Sequence, residues 1–87
     1  MLKVFYGQEC GHCKAMDPLI ARLEKEFGVA VEKSETWHNE EHEAQRASYD
    51  KGQCGGVPFL VNTDTGATIC GEVSYKELVA WATGTSQ

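Results

Sequence analysis

Eighty-seven residues with 41% hydrophobic side chains can build one core, so a single domain over residues 1–87 is expected. Thirteen acidic residues against eight basic ones leave a formal net charge of -5 and no Lys/Arg stripe to neutralise phosphates, which excludes nucleic acid and an anionic membrane surface as partners. No apolar run approaches the ~20 residues that span a bilayer, and no basic stretch followed by a long apolar one opens the chain, so a soluble, cytoplasmic protein without an export signal is expected.

Leu2 to Tyr6 reads as a first strand, buried on both faces or nearly so. Cys10-Gly11-His12-Cys13 follows and opens a helical pattern. Its apolar positions are Cys13, Met16, Ile20, Leu23 and Phe27, with Leu19 beside them, in steps of three and four. Pro18 lies inside that pattern, where it removes one backbone bond and kinks the helix, and Gly28 supplies the left-handed cap. Val29 to Lys33 is a second strand. Asn39 caps a helix from Glu40 to Asp50, with Glu40, Glu41 and Glu43 at its positive end and Arg46 and Lys51 toward its negative end. The apolar face of that helix is only Ala44, Ala47 and Tyr49, which predicts light packing. Val57 to Val61 is a third strand, Asn62 to Gly66 a turn, and Ala67 to Cys70 a fourth strand paired with the third as a hairpin. Ser74 and Glu77 form a capping box for a last helix whose face is Tyr75, Leu78, Val79 and Ala82.

The Cys10–Cys13 pair carries the chemistry. Two thiols three apart at a helix start can close on each other and trade a disulfide with another molecule. The helix N-terminus presents roughly half a positive charge, which lowers a thiol pKa from ~8.5 into the range ~3.5–7.5. The other readings are half of a zinc site or two inert buried thiols. Zinc wants a second close ligand pair, whereas Cys54 and Cys70 are single and far apart.

The order β-α-β-α-β-β-α, with a Cys-x-x-Cys at the first strand-to-helix junction, resembles the thioredoxin-like superfamily over essentially the whole chain. Cys10-Gly11-His12-Cys13-Lys14 is identical to the motif of protein disulfide isomerase active-site domains. Pro18 falls where thioredoxins carry a helix-kinking proline, Gly56-Val57-Pro58 resembles the loop with a cis bond into proline, and Gly71 resembles the glycine bordering the substrate groove. The resemblance implies an α/β minimal thioredoxin fold, a central four-stranded mixed sheet flanked by three helices. It also implies a thiol-disulfide oxidoreductase with Cys10 as exposed nucleophile, Cys13 as buried resolving thiol and His12 setting their balance. Gly56, Val57, Pro58 and Gly71 would bind substrate, with no bound cofactor and no metal. A monomer is expected, acting on protein or small disulfides with a reductase or glutathione as electron donor. Its potential would lie at roughly -270 to -180 mV.

The chain departs from thioredoxins in beginning at the first core strand, in Glu9 before Cys10, and in Val4 where a buried aspartate would fall. These features resemble glutaredoxins, which however present Thr-Val-Pro and Gly-Gly-x-Asp where this chain has Gly56-Val57-Pro58 and Gly71-Glu72-Val73-Ser74. A glutathione-dependent enzyme is therefore one alternative. A metal or iron–sulfur module using the four cysteines is another.

Other residues carry plainer expectations. Cys54 and Cys70 are read as small buried hydrophobes, with a second disulfide or regulatory thiol as the alternative. Trp37 is assigned to core packing, with a groove-side or lid position as the alternative. His38 and His42 lack the zinc-protease spacing because Asn39 stands between His38 and Glu40, so they belong to a solvated helix start. Glu9 is expected to oppose a thiolate on Cys10. Asp17 is read as a solvated charge and a weak candidate for accepting the Cys13 proton.

Overall fold

The computed structural model describes residues 1–84 of the chain. Its elements are β1 (Leu2–Tyr6), α1 (Gly11–Phe27), β2 (Val31–Glu35), α2 (Glu40–Asp50), β3 (Phe59–Asn62), β4 (Thr68–Cys70) and α3 (Tyr75–Thr83). The strands form one mixed sheet in the order β2-β1-β3-β4, with β1 and β2 parallel and the other two pairs antiparallel. None of the helices among the described residues is long and apolar enough to cross a membrane.

Alternation along β1 and β3 divides the core in two. Leu2, Val4 and Leu60 point to the face covered by α1 and α3, where they meet Met16, Ile20, Leu23, Leu78 and Trp81. Phe5, Phe59 and Val61 point the other way. Trp81, which the sequence reading passes over, is 4% exposed and its Nε1–H donates to Ala67 O at 3.1 Å. Asn62 is buried beneath α3 and its Nδ2 donates to Trp81 O at 3.0 Å, satisfying a carbonyl near the end of that helix. Arg22 of α1 stacks 4.0 Å over the Tyr75 ring while both side chains bond Glu26, which clamps α1 to α3 at the surface.

Several expected boundaries and faces move. β2 runs two residues later than the apolar letters suggest, because its register follows β1 from Leu2↔Val31 to Tyr6↔Glu35. An edge strand tolerates the charges this brings in. β3 starts at Phe59, since Pro58 has no N–H to give a ladder. Phe27 is exposed, and Val29 packs against the core in its place. In α2 the expected stripe of Ala44, Ala47 and Tyr49 is exposed, although the Tyr49 ring leans to 6.1 Å from Phe5. That helix instead buries Arg46 and Asp50. Glu43 takes two hydrogen bonds from Arg46, both 2.7 Å, and Asp50 takes a third at 2.9 Å. A paired, hydrogen-bonded ion triad can be buried where a stripe of alanines offers little area.

Candidate active site

Cys10 is the N-cap of α1, in extended conformation, in the position where helices usually place Ser or Asp. Its N–H donates to Gly7 O at 3.0 Å, its carbonyl accepts the Lys14 N–H at 3.1 Å, and its sulfur accepts the Cys13 N–H at 3.2 Å. The amide that would bond a capping hydroxyl is thus aimed at sulfur, and it would hold a thiolate there together with the helix dipole. Cys10 and Cys13 are joined by a disulfide with their Cα atoms 5.2 Å apart. The exposed Cys10 of the sequence reading is not found, as Cys10 is 6% and Cys13 5% exposed. In the oxidised pair the Cys10 sulfur turns onto the Cys13 sulfur and amide.

Pro58, reached through a cis peptide bond from Val57, is fully buried and borders two cavities. One is an open groove of about 820 Å³ along His12, Val57, Pro58, Cys70, Gly71 and Glu72. Gly71 N–H donates to Pro58 O at 2.8 Å, which ties the far wall of the groove to the proline loop, and its φ of 92° is one that a side chain would strain. Gly56 is not on the groove wall and precedes Val57 in the loop. The other cavity, of about 150 Å³, lies against Cys13 and is walled by Val4, Tyr6, Met16, Asp17, Lys33 and Pro58. The His12 imidazole is not without a partner: its Nδ1 lies 3.0 Å from Glu72 Oε1 at the groove. Glu72 stands 60 residues from His12 in the chain, so local spacing gives no sign of this contact.

Neither a protein-family model nor a curated protein sequence matches the chain. Among solved structures, thioredoxin 1 from the thermophilic eubacterium Thermosipho africanus superposes with a TM-score of 0.71 and 22% identity, over 95% of this chain and 90% of that one. The fold is that of thioredoxin.

On this thioredoxin fold, the loop before Cys10 is clasped by the loop after β2. Thr36 N–H and hydroxyl both donate to Tyr6 O, and the Glu35 carboxylate accepts the N–H groups of Gln8, Trp37 and His38. Burial pushes the Glu35 pKa up, but those three backbone donors together hold it below its ordinary value. Trp37 is 53% exposed, so it is not core. Its indole lies over Gly7, where even a Cβ would collide with the ring. A glycine at this position therefore lets the aromatic seat itself beside the cysteine loop. Glu9, Glu35 and His38 bring three potential ligand atoms together. Glu35 is already occupied by the amides, however, and Glu9 by His38.

The Glu9 carboxylate receives His38 Nε2 at 2.8 and 2.9 Å. That hydrogen bond, with the Glu9 charge behind it, raises the His38 pKa, so protonated His38 offsets the expected opposition of Glu9 to a thiolate on Cys10. Because the folded chain holds this proton more tightly, the pair stabilises the fold fully below about pH 6.5 and the contribution is lost as pH rises through the higher folded value. In Glu9→Gln the NMR titration midpoint of His38 is expected to fall toward its ordinary value. An unmoved midpoint would show that the pair does not form in solution.

Cys54 and Cys70 are not two small buried hydrophobes. They form a second disulfide, with Cα atoms 5.6 Å apart and 16 residues of separation. A loop of that length is worth about 3 kcal/mol by chain entropy. Cys54 is half-buried beside the Phe5, Phe59 and Val61 cluster, and Cys70 is exposed on the groove. Asp50 accepts the Cys54 and Gly55 N–H groups, which hold its pKa down against burial with help from Arg46. The α2 ion triad therefore fixes the loop that carries Cys54. His42 Nδ1 donates to Glu35 O at 2.8 Å, in keeping with a structural place for that imidazole.

Proposed function

We propose that the chain is a thiol-disulfide oxidoreductase that exchanges the Cys10–Cys13 pair with disulfides of protein substrates, supplied with electrons by a dithiol reductase. The observation that carries this reading is the Cys10 sulfur at the N-cap of α1 with the Cys13 amide directed at it. In the reduced protein a Cys10 thiolate attacks one sulfur of the substrate disulfide, and the other sulfur leaves as a thiolate. Cys13 then attacks the Cys10 sulfur of the mixed disulfide, releasing the second substrate thiolate and restoring the bond between Cys10 and Cys13. Cys13 must lose its proton for that step, and Asp17 is the acid on the wall of the cavity that touches it. Exposed Asp17 can pass that proton on to solvent.

The groove beside Val57 and Pro58 receives the substrate segment. Its ionisable walls are His12, Glu72 and Glu77, with no Lys or Arg among the described lining residues. Such a wall repels the two carboxylates of glutathione and suits a neutral or basic peptide. The glutathione-dependent reading is thus the weaker one. The metal-module reading is weaker too, since all four sulfurs are taken up in two disulfides.

Turnover of insulin disulfides, with a flavin-dependent dithiol reductase or glutathione as donor, tests the proposal. Acceleration over the uncatalysed exchange and a preference for the dithiol donor are expected. Glu72→Lys should raise the glutathione-driven rate by about ten-fold, equivalent to about 1.4 kcal/mol for exchanging a repulsion for an attraction. No acceleration with either donor would remove the proposed activity.

A further inference from the structure

We propose that the Cys54–Cys70 disulfide is a second thiol-disulfide exchange site, opened by a dithiol that enters the substrate groove, with the Cys70 sulfur as the point of attack. Access decides which sulfur is struck. Cys70 ends β4 on the exposed side and lines the groove with His12 and Pro58, whereas Cys54 is half-buried against the Phe5 cluster. A thiolate moving along the groove meets Cys70 first and has Cys54 behind it as leaving group.

The two sulfurs are carried by backbone that the disulfide does not itself hold. Asp50 binds the Cys54 and Gly55 amides, the latter at 2.7 Å, and is in turn bound by Arg46 at 2.9 Å. On the other side Cys70 pairs with Phe59 in the sheet and Gly71 N–H donates to Pro58 O at 2.8 Å. With the bond open, both residues keep these anchors, so the sulfurs stay within reach and the bond can close again. A cross-link that merely stapled a loose loop would lack this second set of restraints. The freed Cys54 thiol also has an acceptor, as its sulfur lies 3.6 Å from Gly56 O.

The chemistry balances with one dithiol. One thiolate of the reductant attacks the Cys70 sulfur, a mixed disulfide forms, and the bond to Cys54 breaks with its electron pair on the Cys54 sulfur, which takes a proton from water. The second thiol of the reductant then loses its proton and displaces Cys70 as thiolate, and the reductant departs as a disulfide. Cys54 and Cys70 have gained two electrons. While the mixed disulfide lasts, the attached molecule occupies the groove wall, so the state of this pair changes what the groove can bind.

The site is separable from the Cys10–Cys13 reading, and the test keeps the two apart. The full chain carrying Cys10→Ser and Cys13→Ser is equilibrated in mixtures of reduced and oxidised dithiothreitol, alkylated without denaturant and weighed. Cys54 and Cys70 are expected to open as one two-electron step while circular dichroism and a cooperative melt persist. The wild-type chain, digested after the same treatment, reports the two pairs separately should the double variant fail to fold. The uncharged disulfide of 2-mercaptoethanol, which the acidic groove wall does not repel, should label Cys70 in Cys54→Ser about ten-fold faster than Cys54 in Cys70→Ser, reflecting their difference in exposure. Opening only in denaturant, loss of the fold on opening, or faster labelling of Cys54 would each overturn the proposal. Insulin turnover by the wild-type chain, measured alongside, fails or succeeds independently of all three.

Discussion

Cys10→Ser is expected to lower insulin-disulfide turnover by at least about 10³-fold, because it removes the only atom proposed to attack substrate while leaving the helix cap in place. Serine at an N-cap accepts the same amide that Cys10 accepts now, so the fold should survive and the loss should be chemical. Cys13→Ser makes a different failure. Attack by Cys10 still occurs, but nothing displaces the substrate, and the mixed disulfide accumulates as a covalent adduct visible by mass spectrometry. Retention of more than about a tenth of wild-type turnover by Cys10→Ser would contradict the assignment of Cys10 as nucleophile.

Trp81→Ala should be the most damaging single change to stability. The side chain is 4% exposed, sits among Leu2, Val4, Leu60 and Leu78 across the α3–sheet interface, and bonds Ala67 O. Deleting a buried aromatic of this size costs about 3–5 kcal/mol through lost transfer and the cavity left behind. That is a large part of the 5–15 kcal/mol typical of a domain, and at about 4–8 °C per kcal/mol the melting temperature should fall by at least about 12 °C. Trp81→Phe separates packing from hydrogen bonding. It keeps most of the ring and leaves the Ala67 carbonyl its bond from Asn62 N–H at 2.9 Å, so losing the indole bond alone should cost about 0.5–1.5 kcal/mol. A calorimetric shift of only a degree or two in Trp81→Ala would mean that α3 does not depend on this wedge.

The sequence makes the order of elements readable because its signals are local. Asn39 and Ser74 announce helices that begin where their side chains bond His42 N–H and Glu77 N–H, and Gly28 ends α1 in the left-handed region. The dithiol is legible for the same reason, since its two residues lie within one helical turn. What escapes is set by residues distant in the chain. The register of β2 comes from β1, the company of His12 comes from Glu72, and the partner of Cys54 lies beyond the whole of β3. Composition also misleads where polarity is buried. Arg46 and Asp50 look like helix surface until both are seen in one ion triad, and Trp37 looks like core until Gly7 is found beneath it. Trp81 was recoverable, being three residues from Leu78 on the buried stripe of α3.

The two margins of the sheet have a consequence for behaviour at high concentration. β2 presents Glu32, Lys33 and Glu35 along one border, and β4 on the other border is only three residues long. Another chain seeking to extend the sheet would meet a row of charged side chains on one side and find too few rungs on the other. The architecture thus carries its own guard against amyloid-like self-assembly, placed where the hydrogen-bonding ladder stops.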